Sequence, residues 1–273
     1  MSYTDRTPAR VDTSQPSIAR AYDAVLGGKD NYEADRLVAR QLAETLPGIG
    51  DLARYNRAVL ARGVRYLADE AGISQFLDLG AGLPTMENTH QVAQRVRAQA
   101  RVAYVDIDPM VLAHGRALLM ENEYTTVITA DLRQPDSVLA HPEVRALLDF
   151  TQPVAVMLVG ILHHLHDSED PQGVVDAYMS AVPSGSQLFI THFCDSGPEA
   201  HELEQTFLQF LGTGRFRTHA EIARFFGDCA LAEPGLVPLP LWRPDGVLPE
   251  HLPLHEQLTL DERLMIAGIA RKP

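Results

Sequence analysis

Between residues 51 and 70, apolar side chains recur at Leu52, Val59, Leu60, Val64 and Leu67. That spacing predicts an amphipathic helix, with Gly72 as its stop. Two helices are predicted before it. One spans 16–26 and is stopped by Gly27-Gly28; the other spans 31–46 and is stopped by Pro47-Gly48. Residues 1–15 are polar and predict a flexible N-terminus. After residue 72 the period changes. Short β-rich runs at 75–79, 102–106, 126–129, 154–159 and 187–193 alternate with helical segments near 86–98, 109–120, 136–148 and 171–182. Such alternation predicts βαβ units, a parallel sheet and right-handed crossovers, hence a three-layer doubly wound α/β fold.

The C-terminal part changes again. Helices are predicted near 198–211 and 218–228, followed by strands at 236–242 and 264–270. Pro238 and Pro240 oppose a central strand, but they are two apart, so both missing N–H groups would face one side. This predicts a terminal hairpin with 236–242 at the sheet edge. The expected organisation is a flexible 1–15, a helical 16–71 and a core over 72–273.

Composition narrows the partners. The 273 residues carry a formal charge of −13 and are 45% hydrophobic, with a pI near 5.2. An acidic surface repels phosphate backbones and anionic lipid, so neither nucleic acid nor a membrane is an expected partner. No run of 18 apolar residues appears, and the N-terminus lacks an apolar signal region. Cys194 and Cys229 form no CxxC pair. A cytoplasmic protein is the expectation.

Three acidic positions follow three successive predicted strands. The first lies in Gln75-Phe76-Leu77-Asp78-Leu79-Gly80-Ala81-Gly82-Leu83-Pro84-Thr85, a buried strand breaking into a glycine turn. Gly80 and Gly82 permit a sharp turn and close ligand approach. A dinucleotide fingerprint requires G-x-G-x-x-G/A, whereas this chain has Pro84-Thr85. Asp78 disfavours a pyrophosphate and suits an ammonium group, which puts S-adenosylmethionine ahead of NAD. A strand-to-helix turn with glycines for sterics alone is the structural alternative. Second, Asp106 lies 24 residues after Gly82, near the spacing of a ribose-binding acid. Asp108 could serve instead, but Asp108-Pro109 also reads as a helix N-cap with proline at N1. Ile107 could pack on an adenine face. Third, Asp131, next to Leu132, could accept from an adenine amino group or simply cap a loop.

These motifs resemble class I S-adenosylmethionine-dependent methyltransferases over residues 72–273. Asp78-x-Gly80-x-Gly82 resembles the first motif, Asp106 the ribose acid and Asp131 the adenine-side acid. Pro183-Ser184-Gly185-Ser186 resembles the turn into the fifth strand. The resemblance implies a mostly parallel seven-stranded, Rossmann-like sheet with an N-terminal helical cap. A narrower resemblance covers most of the chain. Pro16-Ser17-Ile18-Ala19-Arg20-Ala21-Tyr22-Asp23, Leu26-Gly27-Gly28-Lys29-Asp30-Asn31, Arg54-x-x-Arg57, Tyr104-Val105-Asp106-Ile107-Asp108-Pro109 and Leu147-Leu148-Asp149-Phe150 are similar to an actinobacterial group of S-adenosyl methyltransferases of largely undefined substrate. The class I resemblance, in which N-terminal helices cover the cofactor, implies that Tyr22, Lys29, Asn31 and Tyr32 line the methyl-donor or acceptor pocket, with Arg54 and Asn56 as further candidates.

The Gly27–Asn31 turn also has a structural reading, in which Asp30 and Glu33 start the next helix as a capping box. His163, His164 and His192 sit at predicted strand ends. They are candidate pocket-lining residues or general bases, or satisfied structural histidines; their spacing fits no strong metal signature. The implied activity is in-line methyl transfer from S-adenosylmethionine to an unidentified small molecule. A non-catalytic S-adenosylmethionine-binding regulator is the first alternative, and an NAD(P)-dependent oxidoreductase the second. The oligomeric state is open.

Overall fold

The computed structural model describes residues 11–84, 87–118, 122–244 and 257–273; Thr85, His251 and His255 fall outside them. Three helices come first: α1 (Ile18–Val25), α2 (Glu33–Thr45) and α3 (Ile49–Asp69). Each stands where the apolar period places it. On α3 the stripe Leu52, Val59, Leu60, Val64 and Leu67 is buried. Gly63 lies on the same face, and a Cβ there would come within 2.5 Å of the Phe189 ring. The missing side chain lets α3 settle against the sheet.

The α/β part then runs β1 (Gln75–Leu79), α4 (Thr89–Val96), β2 (Arg101–Asp106), α5 (Pro109–Leu118), β3 (Thr125–Thr129), α6 (Pro135–Leu139), α7 (Pro142–Leu147), β4 (Ala155–Val159), α8 (Pro171–Ser180) and β5 (Gln187–Phe193). The predicted helix over 136–148 is two short ones. Pro142 lacks an N–H, and the residue before a proline is pushed out of the α region; His141 adopts φ −59°, ψ 130° and its ring accepts from the Glu143 N–H. The C-terminal part adds α9 (Pro198–Leu211), α10 (His219–Arg224), β6 (Ala230–Leu231), β7 (Val237–Pro238), α11 (Leu260–Arg263) and β8 (Met265–Arg271).

The strand order is β3-β2-β1-β4-β5-β8-β6. β1 to β5 are parallel, and β8 runs antiparallel to β5. β6 pairs with residues 270–271 of β8 and β7 with 266–267. The two short strands share the outer edge of β8, so eight strands fill seven positions. The predicted edge strand over 236–242 is thus cut to Val237–Pro238. Pro240 sits in the 3-10 turn Leu239–Leu241 that follows, because its ring supplies no ladder donor.

Strand alternation gives two cores, one on each face of the sheet. Phe76, Met157 and Phe189 face α3 and join Val59 and Leu60. Leu77, Leu79, Val156, Leu158 and Ile190 face the other way, against Val138, Val144, Val175 and Tyr178. This is the doubly wound three-layer architecture. β1 lies between β2 and β4, so successive crossovers depart on opposite sides there. That reversal opens a crevice at the carboxyl ends of the strands, the usual ligand position in such sheets. Among the described residues, no helix is long and apolar enough to cross a membrane.

Filling the α3–sheet contact should cost stability. Gly63→Val is expected to lower the unfolding free energy by about 1–3 kcal/mol through overpacking, read from the urea midpoint. An unchanged midpoint would show that the contact has slack.

Candidate functional site

A cavity of about 570 Å³ opens at the crevice between β1, β2 and β4. It is within the usual size range of small-molecule sites. Its floor is built from strand ends. Gly80 (φ +73°) and Gly82 (φ +67°) both adopt left-handed backbone, which favours glycine. Their surroundings differ. A Cβ on Gly80 would strike Ile161 at 2.4 Å, whereas one on Gly82 would meet nothing within 4 Å. Gly80 is needed for packing; Gly82 leaves an open approach.

Asp78 is buried beside this turn and accepts from Thr89 Oγ1 at 2.7 Å. Burial pushes its carboxyl from 3.8 up to about 6, against the lowering influence of the Thr89 hydroxyl and the Arg57 cation. Asp106 is also buried. Its Oδ2 accepts from Gly82 N at 2.8 Å and its Oδ1 from Asp108 N at 2.9 Å. Burial raises its pKa and these backbone donors oppose the rise. Asp106 thereby ties the glycine turn to the end of β2, and each oxygen keeps a lone pair for a ligand. Asp108 caps α5, accepting from Met110 N at 2.8 Å.

Ile107 lines the cavity and is 60% exposed. Asp131 and Leu132 line it from the loop after β3. Asp131 closes its own turn, accepting from Arg133 N at 2.9 Å, and pairs with the Arg133 guanidinium at 2.8 Å. Those contacts hold its pKa below the ordinary carboxylate value.

The N-terminal segment forms the facing wall, with Val11, Gln15, Ser17 and Arg20 among its lining residues. A buried network fastens it. Arg20 pairs with Asp35 at 3.1 Å and lies 3.8 Å from Asp108. Asp35 also accepts from the N–H groups of Ser17 (2.9 Å) and Tyr32 (2.8 Å), and the Ser17 hydroxyl donates to Asp108.

Among the residues singled out from the sequence, Asp78, Gly80, Gly82, Asp106, Ile107, Asp131, Leu132, Tyr22, Asn56, His163 and His164 all border this cavity. Lys29, Asn31, Tyr32, Arg54 and His192 do not. Lys29 is exposed. Asn31 braces its own loop, donating to Asp23 Oδ2 at 2.7 Å and Gly28 O at 3.1 Å. Tyr32 lies under the Arg20 guanidinium. The capping role expected of Asp30 and Glu33 falls instead to Asp35, which receives the Tyr32 N–H. Arg54 is exposed and pairs with Asp51. His192 points to the opposite sheet face from Phe193, as strand alternation requires. Its Nδ1 donates to Phe193 O at 2.7 Å, and its Nε2 accepts from Arg217 at 3.1 Å. Burial pushes it down to about 3.

Arg57 lines the cavity and donates to Glu87 O at 3.1 Å. It stands four residues after Ala53 and three before Leu60, both buried on α3. A cation beside a buried helical face was the available signal. Phe193, Phe207, Leu211 and Thr213 also line the cavity, but apolar wall residues carry no motif.

Several comparisons bear on this site. The family model described as S-adenosyl methyltransferase matches residues 4–273. A protein of Thermobifida fusca YX assigned as a methyltransferase is 51% identical, with TM-score 0.91, covering 98% of this chain and 99% of that one. A duf574 family protein from Streptomyces avermitilis MA-4680 is 36% identical, with TM-score 0.88, covering 97% and 100%. The N-methyltransferase NodS from Bradyrhizobium japonicum WM9, in complex with S-adenosyl-L-homocysteine, shares the fold at 12% identity, with TM-score 0.50, covering 87% and 97%. None of the curated proteins compared matches the chain.

The state of Asp78 has a measurable consequence. Its folded pKa exceeds its unfolded value, so between pH 3.8 and 6 the folded protein binds more protons. Stability therefore falls as pH rises through that window, by about 3 kcal/mol from this one group. Asp78→Asn is expected to flatten the decline between pH 4.5 and 7.5, followed by urea denaturation without ligand. An equal decline in the variant would assign it to other groups.

Proposed function

The chain belongs to the S-adenosyl methyltransferase family and is an enzyme using S-adenosylmethionine, and we propose that it methylates a small molecule in this cavity. The observation that carries the reading is a pair of buried, undercompensated carboxylates flanking an open glycine turn. A bound sulfonium donor supplies an activated methyl group and a neutral thioether leaving group.

The donor set fits such a ligand. Asp78 holds the ammonium of its amino-acid end, and Arg57 the carboxylate. Gly82 lets the backbone approach. Asp106 accepts from the ribose hydroxyls. Ile107 and Leu132 cover the adenine faces, while Asp131 accepts from its amino group. In this reading residues 16–71 form a cap over a core at 72–273. Asn31 contributes by fixing its loop, and Lys29 stays outside the donor set. His163 and His164 border the acceptor; His192 supports them from behind. Tyr22 shapes the pocket, since its hydroxyl already donates to Ala53 O at 3.0 Å. Most of the rate then comes from alignment and exclusion of water. A base is required only for a protonated acceptor.

Calorimetry with S-adenosylhomocysteine tests these assignments. Asp106→Ala and Arg57→Ala should each weaken binding by about tenfold or more, the scale of a lost hydrogen bond to a charged group. Lys29→Ala should leave it unchanged. Folded protein that binds none of this ligand would overturn the site.

A further inference from the structure

The cavity divides by charge. Its charged lining groups gather at the strand ends, in residues 12–20 and at Arg57, whose charge acts on Asp78 and puts it on the donor side. The remaining wall comes from α2, α3, α9 and the end of β5, and among the described residues it carries no charged side chain. Leu42, Leu52, Leu60, Phe193 and Phe207 line it. The rings of Phe193 and Phe207 meet edge to face at 5.3 Å, and His163 and His164 lie beside them, 4.3 Å apart.

The polar groups of this half are largely satisfied. Asn56 accepts from Thr191 Oγ1 at 2.7 Å, and His164 Nδ1 is bonded to Thr213 Oγ1 at 2.9 Å. His163 Nδ1 is buried without a partner, so a bound molecule would meet that ring at its Nε2 edge. Arg217 does not line the cavity; its guanidinium is engaged by the carbonyls of Leu162 and Leu165, by His192 and by Asp167.

Resting on the methyltransferase reading above, we propose that the acceptor is an uncharged aromatic hydroxyl compound, held in this apolar half with its hydroxyl against His163 Nε2. A carboxylate or ammonium substituent would be buried there without a counter-charge, which is costly. Aromatic walls favour a flat aromatic body through edge and stacked contacts. The hydroxyl class follows from the one feature this half offers a polar group, a neutral imidazole edge at His163 that can accept a hydrogen bond from an O–H. Burial, with His164, His192 and Arg217 adding to it, holds His163 far below its ordinary range. Burial likewise brings His164 down to about 3. Bases this weak take a proton more readily from a phenol, which like tyrosine ionises near about 10, than from the much less acidic alkanol. Methylation of the hydroxyl forms the O–C bond from an oxygen lone pair and leaves the C–S pair on sulfur. The released proton passes to His163 Nε2 and on to solvent.

Three probes of similar size test this on protein saturated with S-adenosylhomocysteine: 2-naphthol, 6-hydroxy-2-naphthoate and decahydro-2-naphthol. By calorimetry, 2-naphthol should bind about tenfold or more tightly than the other two. His163→Phe keeps the ring and removes the nitrogens, and should weaken 2-naphthol by about tenfold. Leu211→Lys, at a half-buried position, should instead favour the naphthoate. The proposal is overturned if the naphthoate binds as well as 2-naphthol to the unaltered protein, if no probe binds, or if neither variant changes the order. Failure to bind S-adenosylhomocysteine at the outset would strike the donor site, a separate result.

Discussion

Two buried carboxylates whose desolvation outweighs their hydrogen bonds and the nearby Arg57 cation set the terms for the rest of this structure. Asp78 and Asp106 stand at the carboxyl ends of neighbouring strands; the charge of Asp106 adds to the cost of ionising Asp78, and that of Asp108 to the cost of ionising Asp106. Hydrogen bonds from Thr89, Gly82 and Asp108 offset only part of the desolvation. A core chosen for stability alone would place apolar groups there. In the proposed reading a cationic, hydroxyl-rich ligand adds partners for both, which links ligand binding and fold stability through the same atoms. The glycine turn follows from this constraint: it brings the Gly82 N–H to Asp106 while keeping Gly82 clear of side chains.

The second carboxylate pair solves the opposite problem. Asp35 and Asp108 are buried as well, but Arg20 lies between them, and Ser17 contacts both. These bonds join the segment before β1 to the loop after β2. The chain's acidic excess is thereby used in two ways: carboxylates paired with Arg20 hold the wall together, and the undercompensated ones face the cavity.

Legibility from sequence followed how local each determinant is. β1 and β5 were readable to the residue because each is a short apolar run bounded by turn residues. The glycine turn and its three acids were readable for the same reason. The break at His141-Pro142 depends on one backbone conformation, and the shortened edge strand depends on where Pro240 falls against β8; neither shows in hydrophobic period. Within the site, the differences between expected and observed lining residues are differences of phase. Arg54 and Arg57 are three residues apart, yet only Arg57 reaches the cavity. His192 and Phe193 are adjacent, and the strand sends them to opposite faces. Lys29 and Asn31 lie in a loop whose course is set by Asp23, a contact that composition and spacing do not encode.

The division of the cavity then follows from what each half must do. In the proposed reading the donor half holds a zwitterionic tail and a ribose, which accounts for the charged and hydrogen-bonding groups it keeps despite their burial. The acceptor half need only exclude water and fix a trajectory, and fixed charges there would stabilise the ground state of a charged competitor. Arg217, a buried cation that acts on His163, stays outside the cavity. Its guanidinium is held by Asp167 at 2.8 Å, by His192 and by the carbonyls of Leu162 and Leu165. Burial keeps the imidazoles of His163 and His164 neutral, so in the proposed reading selectivity rests on desolvation and shape.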